Sequence, residues 1–373
     1  MNVIFTCGGT AGHINPAIAV ANILKERHPD CNILFIGAEG HMEEKLVPKA
    51  GYELKCLPGS GLVRGVSFKA IKKNIKVVGD LVGSIKACKK IIRDFGADVI
   101  VGTGGYASYP ALRAGAKLGI PTCVHESNAV PGVTTKMAAN KADRVLVSFA
   151  ESARHYRHPE KVEVVGMPVR KEFILTQKEQ ARKELGLDSR PLVVSAFGSL
   201  GARAMNYAVA DMLKLEQEAD FPFQHIHATG SYGWKWMPDH VKTLDIDLTK
   251  GIDMREYIYN MPTVMAAADV IISRAGASTL NEICASGTPC VLIPSPNVTN
   301  DHQTKNARIL SDRGGAVLLP EGEDMGRKLY HAVTDLLADH DRRKEMSASL
   351  RNMVILDSAE RICDMIEELS QKK

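Results

Sequence analysis

Asn2-Val3-Ile4-Phe5-Thr6-Cys7-Gly8-Gly9-Thr10-Ala11-Gly12-His13-Ile14-Asn15-Pro16-Ala17 runs from a short apolar segment through glycines into a helical pattern. Asn15 can cap that helix with Pro16 at its first position, and Ala17 to Arg27 continue it. A glycine turn between strand and helix clears side chains from the crevice and points backbone N–H groups at its occupant. The helix behind it adds partial positive charge, so phosphate is the natural guest. A second turn of this kind, Arg274-Ala275-Gly276-Ala277-Ser278, lies far along the chain. One such turn in each half implies two similar α/β lobes closing on a phosphorylated ligand rather than a single dinucleotide site.

Working outward, apolar segments at Ile33 to Gly37, Val99 to Gly102, Thr122 to His125, Val145 to Val147 and Val162 to Val165 alternate with helical stretches. This is the pattern of a parallel sheet covered on both faces. After Gly166-Met167-Pro168 a polar helical stretch, Lys178 to Leu185, precedes a restart of the alternation. Its strands are expected at Leu192 to Ala196, Gln224 to Ala228, Val270 to Ser273, Val291 to Ile293 and Ala316 to Leu319. The expected division is an N-terminal lobe over 1–166, a C-terminal lobe over 167–355, and a last helix over 356–373 that crosses back to the first lobe.

At 373 residues and 45% hydrophobic, the chain suits two domains of ordinary size. A net charge of +4 is far from the concentrated excess of a dedicated nucleic-acid binder, so no nucleic-acid partner is expected. The eight cysteines show no CxxC spacing, and most sit beside apolar segments, which fits a reducing compartment. No stretch approaches the roughly 18 to 20 apolar residues of a membrane span, and Met1 to Phe5 is expected to be too short for a signal sequence.

The first turn has neither GxGxxG spacing nor a Lys-Ser or Lys-Thr after its glycines, so it is neither a dinucleotide fingerprint nor a P-loop. Standing alone it reads equally as a ligand site or a tight bend. His13 adds, at the same spot, a group suited to taking a proton from an attacking hydroxyl, although a lone histidine is more often structural. Gly102-Thr103-Gly104-Gly105-Tyr106 and His125-Glu126-Ser127-Asn128 follow two further strands, and three polar strand ends in one lobe favour function. In the second lobe Ser273 to Glu282 joins strand to helix; an arginine there suits a diphosphate and a glutamate suits ribose hydroxyls. The bland alternative is a capped helix with Glu282 on a solvated face. Asp301-His302-Gln303 follows the next strand, again at the ligand edge. No HExxH, no GxSxG and no cluster of cysteine and histidine ligands is present. Asp245-Ile246-Asp247 resembles a metal-holding acidic pair but lies in a polar stretch and reads as surface.

Ile71, Ile75, Val78, Val82 and Ile85 recur at helical spacing while Lys69, Lys72, Lys73 and Lys76 crowd the same helix, after Leu62, Val63 and Arg64. The stripe suits either an anionic membrane surface or packing on the sheet.

Taken together, Cys7 to His13, Gly102 to Pro110, His125 to Gly132, Gly198 to Asn206, Ser273 to Glu282 and Asp301 to Ala307 resemble, in this order and near these spacings, the MurG family of bacterial N-acetylglucosaminyltransferases. The resemblance spans both halves. It implies a GT-B fold, two Rossmann-like doubly wound parallel-sheet lobes facing across a cleft. It further implies inverting transfer of N-acetylglucosamine from UDP-N-acetylglucosamine to undecaprenyl-pyrophosphoryl-N-acetylmuramyl-pentapeptide (lipid I), giving lipid II and UDP, with no metal and no cofactor. By the same resemblance Thr10, Ala11, Gly12, Asn128, Arg170, Ser199, Ile258, Glu282 and Gln303 fall at donor-binding positions. Ile258 would meet uracil through its backbone, Glu282 the ribose, and Ser199 with Arg274 the diphosphate. Gly104, Gly105 and Tyr106 would hold the acceptor, and His13 is the expected base, with Glu126 able to assist or replace it. Phe197 and Leu200 depart from the pattern, which usually has glycine and glutamine there. The enzyme would sit peripherally on the cytoplasmic face of the bacterial cell membrane, drawn by anionic lipid. The competing readings are another two-lobed UDP-sugar enzyme, either a glycolipid transferase or an epimerase, and a nicotinamide-dependent oxidoreductase, which the glycine spacing disfavours.

Overall fold

In the computed structural model the described residues are 1–58 and 68–372, those from 68 to 78 by their backbone alone. The chain divides into two compact units, one formed by Met1–Val169 with Ile355–Lys373 and the other by Arg170–Val354.

The first unit holds strands β1 (Asn2–Thr6), β2 (Asn32–Ala38), β3 (Glu53–Leu57), β4 (Val99–Gly102), β5 (Thr122–Glu126), β6 (Arg144–Val147) and β7 (Val162–Val164). They form one parallel sheet in the order β3-β2-β1-β4-β5-β6-β7. The order reverses direction beside β1, which is where a doubly wound sheet opens its ligand crevice at the carboxyl ends of the strands. Val3, Ile4 and Phe5 are wholly buried because both sheet faces are covered. On one face helix Ala11–Arg27 packs with the C-terminal helix Ser358–Ser370, whose Ile362, Cys363, Ile366 and Leu369 share a core with Val20 and Leu24. On the other face Cys88 and Ile92 of helix Phe68–Phe95 pack with Ala111 and Leu112 of helix Ser108–Leu118.

The second unit repeats the plan with β8 (Leu192–Ala196), β9 (Gln224–Ala228), β10 (Ile252–Arg255), β11 (Val270–Ser273), β12 (Cys290–Leu292) and β13 (Ala316–Leu318). Its parallel order is β10-β9-β8-β11-β12-β13, reversing beside β8. Two doubly wound parallel α/β sheets, the expected fold class, are therefore present.

Three details correct the sequence reading. The first helix begins at Ala11, with Thr10 as N-cap, so Pro16 lies inside it rather than at its start. The glycine turn itself supplies the opening helical residues: the N–H groups of His13 and Ile14 both donate to the Thr10 carbonyl, at 3.0 and 3.2 Å. Edge strands β3 and β10 were not expected, since their charged residues hide the apolar alternation. Helix Phe68–Phe95 is present where helical spacing predicts it. Its expected stripe divides where side chains are described, Ile85 packing toward the core while Val82 is exposed. The side chains of Lys69, Ile71, Lys72, Lys73, Ile75, Lys76 and Val78, and all of Leu62, Val63 and Arg64, lie outside the described residues. Among the described residues, no helix is long and apolar enough to cross a membrane.

Candidate functional site

In the first unit the loops after β1, β4 and β5 gather at one end of the sheet. The turn after β1 and the turn after β4 touch backbone to backbone: a Cβ on Gly105, whose φ is +80°, would lie 2.3 Å from the Gly8 carbonyl oxygen. Only glycine permits that approach. The junction is pinned by hydroxyls, Ser108 Oγ donating to the Thr6 and Gly104 carbonyls at 2.9 and 2.5 Å and Thr103 Oγ1 donating to the His13 carbonyl at 2.7 Å.

His13 lies in the first turn of its helix, with its imidazole against Gly104. Its Nδ1 sits 3.1 Å from the Gly8 carbonyl oxygen and 3.4 Å from Thr10 Oγ1. A carbonyl only accepts, so Nδ1 carries the proton and Nε2 holds the lone pair. Tyr106 lies over Gly9, and its hydroxyl is hydrogen-bonded to His41 Nε2. Burial, with a smaller push from Glu43, raises the Tyr106 phenol above its ordinary range.

Glu126 is buried and its carboxylate is fully engaged. Oε1 accepts from the Asn128 backbone and side-chain amides, both at 3.0 Å, and Oε2 from the Gly132 N–H at 3.2 Å. Those bonds shape the loop 126–132 and place Asn128. Neighbouring His125 is buried; its Nε2 donates to the Gly166 carbonyl at 2.8 Å, and desolvation lowers its pKa.

In the second unit the loop after β8 packs as closely on the end of β9. A Cβ on Gly201 would lie 2.0 Å from the Thr229 carbonyl oxygen. Ser199 and Leu200 accept through their carbonyls from the Ser231 and Tyr232 N–H groups at 3.1 and 3.2 Å, leaving both side chains exposed. Phe197 points inward, into the core beside His227. Ile258 is buried between exposed Tyr257 and Tyr259 and so anchors the loop after β10.

Helix Ala277–Ser286 starts at Gly276, where an added Cβ would meet nothing within 4 Å. There is thus room beside the N-cap, and a helix N-terminus offers unpaired N–H groups that suit an anion. Gln303 clamps two strand-end loops through one atom: Oε1 accepts from the Ala275 N–H at 3.3 Å and the Ser295 N–H at 2.9 Å. Arg274 donates to the Ile293 and Pro294 carbonyls at 3.1 and 3.2 Å and pairs with Glu321 at 2.6 Å, joining the loops after β11, β12 and β13. Glu282, on the same helix, is half-buried; desolvation pushes its carboxyl up to about 7 against the opposing pull of Arg170. Arg170 itself stacks on Phe173, 5.0 Å from the ring centroid.

Residues 3–147 match the glycosyltransferase family 28 N-terminal domain, and residues 192–362 match its C-terminal domain. The UDP-N-acetylglucosamine–N-acetylmuramyl-(pentapeptide) pyrophosphoryl-undecaprenol N-acetylglucosamine transferase of Acetivibrio thermocellus is 39% identical over 100% of this chain and 99% of its own. The enzyme of the same name from Bacillus cytotoxicus is 36% identical over the full length of both. The chain belongs to the MurG family. Among solved structures, Acinetobacter baumannii MurG superposes with a TM-score of 0.77 at 25% identity, covering 98% of this chain and 99% of that one. The UDP-GlcNAc 2-epimerase of Neisseria meningitidis, at 14% identity and a TM-score of 0.67, shares the fold alone. Family membership bears out the resemblance drawn from the ordered motifs, and with it the GT-B class.

Within this MurG-family chain the sequence-predicted residues fall into two sets. Thr10, Ala11, Gly12, His13, Gly104, Gly105, Tyr106, Glu126 and Asn128 cluster at strand ends of the first unit. Arg170, Ser199, Ile258, Arg274, Glu282 and Gln303 belong to the second. Asp245 and Asp247 are elsewhere, Asp247 accepting from Thr249 to close the turn at Leu248–Lys250. Among the described residues no group of three or more acidic, histidine or cysteine side chains could hold a metal ion. Sequence reasoning missed Glu43, His41 and Glu321. Each lies outside the glycine motifs and is recruited to them only by the fold.

Proposed function

We propose that this chain transfers N-acetylglucosamine from UDP-N-acetylglucosamine to a hydroxyl of the lipid-linked N-acetylmuramyl-pentapeptide, lipid I, releasing UDP and forming lipid II for peptidoglycan. The observation that carries the reading is full-length identity of 36–39% to relatives named for that transfer.

The residue roles proposed are those that the family resemblance implies, and the local geometry supports them. His13 Nε2, with its lone pair held outward by the Nδ1–Gly8 bond, takes the proton of the acceptor hydroxyl as that oxygen attacks the sugar. Gly104, Gly105 and Tyr106 hold the acceptor, and Glu126 acts as a positioning residue by setting the loop that carries Asn128. In the other unit the Ile258 backbone meets uracil, and the Glu282 carboxylate accepts from ribose hydroxyls. Ser199, the open N-terminus of helix Ala277–Ser286 and the fixed charge of Arg274 face the diphosphate. Negative charge grows on that diphosphate as the glycosidic bond breaks, so oriented donors stabilise the transition state more than the ground state. Gln303, its oxygen spent on two backbone amides, turns its NH2 group to the donor. Arg170 tunes Glu282, while Thr10, Ala11, Gly12 and Asn128 approach the transferred sugar.

A polyprenyl acceptor and the lysines at 69, 72, 73 and 76 support peripheral binding to an anionic bilayer on the cytoplasmic face. Failure of the protein to sediment with vesicles containing anionic lipid at low salt would refute that part. The transfer itself is tested by incubating the protein with UDP-N-acetylglucosamine and the lipid-linked muramyl precursor while following UDP. Release that requires both substrates and yields the lipid-linked disaccharide is expected; release without the lipid would overturn the reading.

A further inference from the structure

Glu43 stands outside every motif discussed above, yet it is wholly buried. It begins the short helix Glu43–Lys49, behind the loop that follows β2. Its Oε2 accepts from the Gly9 N–H at 3.1 Å and its Oε1 from the Ala38 N–H at 3.1 Å. A single carboxylate thus joins the end of β2 to the glycine turn after β1. Two glycines make room for it: a Cβ on Gly8 would lie 2.8 Å from Glu43 Oε1, and one on Gly37 would lie 2.7 Å from Glu43 Cγ. A buried carboxylate is costly to desolvate, and hydrogen bonds from two backbone amides offset part of that cost.

The turn so held is the one that orients His13. The Gly8 carbonyl receives the Nδ1–H of the imidazole, while Gly9, the next residue, is tied to Glu43. The carboxylate therefore fixes the peptide unit whose oxygen sets the His13 tautomer and ring direction. The same segment supplies His41, hydrogen-bonded to the Tyr106 hydroxyl over Gly9.

We infer that Glu43 is a positioning residue for the transfer reaction, acting through the Gly8-Gly9 turn to hold His13 Nε2 toward the acceptor hydroxyl. This rests on the assignment of His13 as base. Glu43→Gln keeps the size but turns an NH2 group against one of the two backbone N–H groups, so the turn must shift. A displacement of the base on the order of 1 Å lowers kcat between about 10- and 100-fold. UDP affinity, supplied by residues of the other unit, stays within about twofold of wild type.

The test measures kcat and UDP binding for Glu43→Gln, His13→Ala and the double variant. If Glu43 acts through His13, Glu43→Gln lowers kcat in the wild-type background and leaves the residual turnover of His13→Ala nearly unchanged. A purely structural defect lowers both equally and overturns the inference, as does a Glu43→Gln enzyme with full kcat. If His13→Ala itself retains full kcat, the base assignment falls and the inference falls with it. If instead His13→Ala is impaired and Glu43→Gln is not, only the inference fails. Gly37→Ala, which presses on Glu43 Cγ without altering any polar group, provides a second route should Glu43→Gln not fold. It lowers kcat in the same background-dependent way, and an equal loss in both backgrounds refutes the proposal.

Discussion

The proposed role of Glu282 as the ribose acceptor gives donor binding a pH dependence that can be worked out in advance. Its carboxyl is pushed up to about 7, first by desolvation, with Arg170 pulling the other way. As an acceptor for ribose hydroxyls it serves best when ionised, because hydrogen bonds to a charged group contribute about 1.5–3 kcal/mol against about 0.5–1.5 kcal/mol for neutral ones. With a midpoint near 7 the ionised fraction falls about tenfold from pH 8 to pH 6. Allowing the protonated form to bind about tenfold more weakly, the net loss of affinity is about fivefold. The sign follows from the raised value: the group gains a proton as pH falls through 7, so donor binding weakens on the acid side. Isothermal titration with UDP-N-acetylglucosamine in the absence of acceptor is the direct assay. A diesterified diphosphate lacks the ionisation near 6 that a terminal phosphate would add, and without turnover His13 does not enter. Glu282→Gln should bind about tenfold more weakly at pH 8 and show no slope, and Arg170→Ala should move the midpoint upward. Flat wild-type affinity between pH 6 and 8, or the same slope in Glu282→Gln, would refute the reasoning.

His13→Ala is expected to lower kcat by about 100-fold or more while UDP affinity stays within twofold, the split that marks a proton-transfer group; steady-state kinetics with product titration reads both. Gly201→Ala places a Cβ 2.0 Å from the Thr229 carbonyl at a φ of +77°, so it should destabilise the protein by more than about 2 kcal/mol and weaken donor binding, as urea unfolding and titration would register. His227 is buried, with Nδ1 2.7 Å from Ser195 Oγ, and desolvation followed by the charge of His225 lowers its pKa from 6.5 to about 3. Its contribution to stability is present above 6.5 and is lost as pH falls toward 3, by about 1.4 kcal/mol per pH unit. Glu216, bonded to His225, has a raised pKa and acts in the opposite sense, so the measurement is the wild-type minus His227→Asn difference in urea midpoints between pH 7 and 5, in which that term cancels.

Central strands were legible because burial on both faces makes them nearly continuous apolar runs. Leu192 to Ala196 and Val270 to Ser273 are such runs, and they and the histidine-interrupted Gln224 to Ala228 are strands at the bounds read from sequence. Edge strands escaped for the complementary reason. Glu53 and Lys55 pair with each other across one exposed side of β3, and Asp253 binds Arg255 along β10, so each segment reads as solvated chain. Pro16 misled because proline is commonest at a helix start; here it occupies the second turn of a helix that the glycines had already begun.

At the site, legibility divides by residue chemistry. Glycine turns declare themselves, since a tight bend or a close backbone approach has few other solutions, and Gly105 and Gly201 are cases where added bulk would strike a carbonyl oxygen. Polar side chains that serve the backbone do not, because their sequence surroundings match those of surface residues. Glu43 opens an ordinary Glu-Glu-Lys run and Glu321 lies in a Pro-Glu-Gly turn. Only the packing of β2 against β1 brings Glu43 to Gly9, and only the order of β11, β12 and β13 brings Glu321 to Arg274. Arg274 shows the consequence for function. An arginine beside a diphosphate turn invites a role as a direct ligand, but two carbonyls and a carboxylate already hold its guanidinium. In the role proposed for it, its charge is thereby fixed in place at no reorganisation cost during the reaction, which is how a preorganised dipole or ion lowers a barrier. Glu321→Gln should therefore lower kcat more than it weakens UDP binding, because it frees the guanidinium to collapse onto the diphosphate of the ground state. A variant that lost UDP affinity with kcat intact would return Arg274 to the role of a simple binding group.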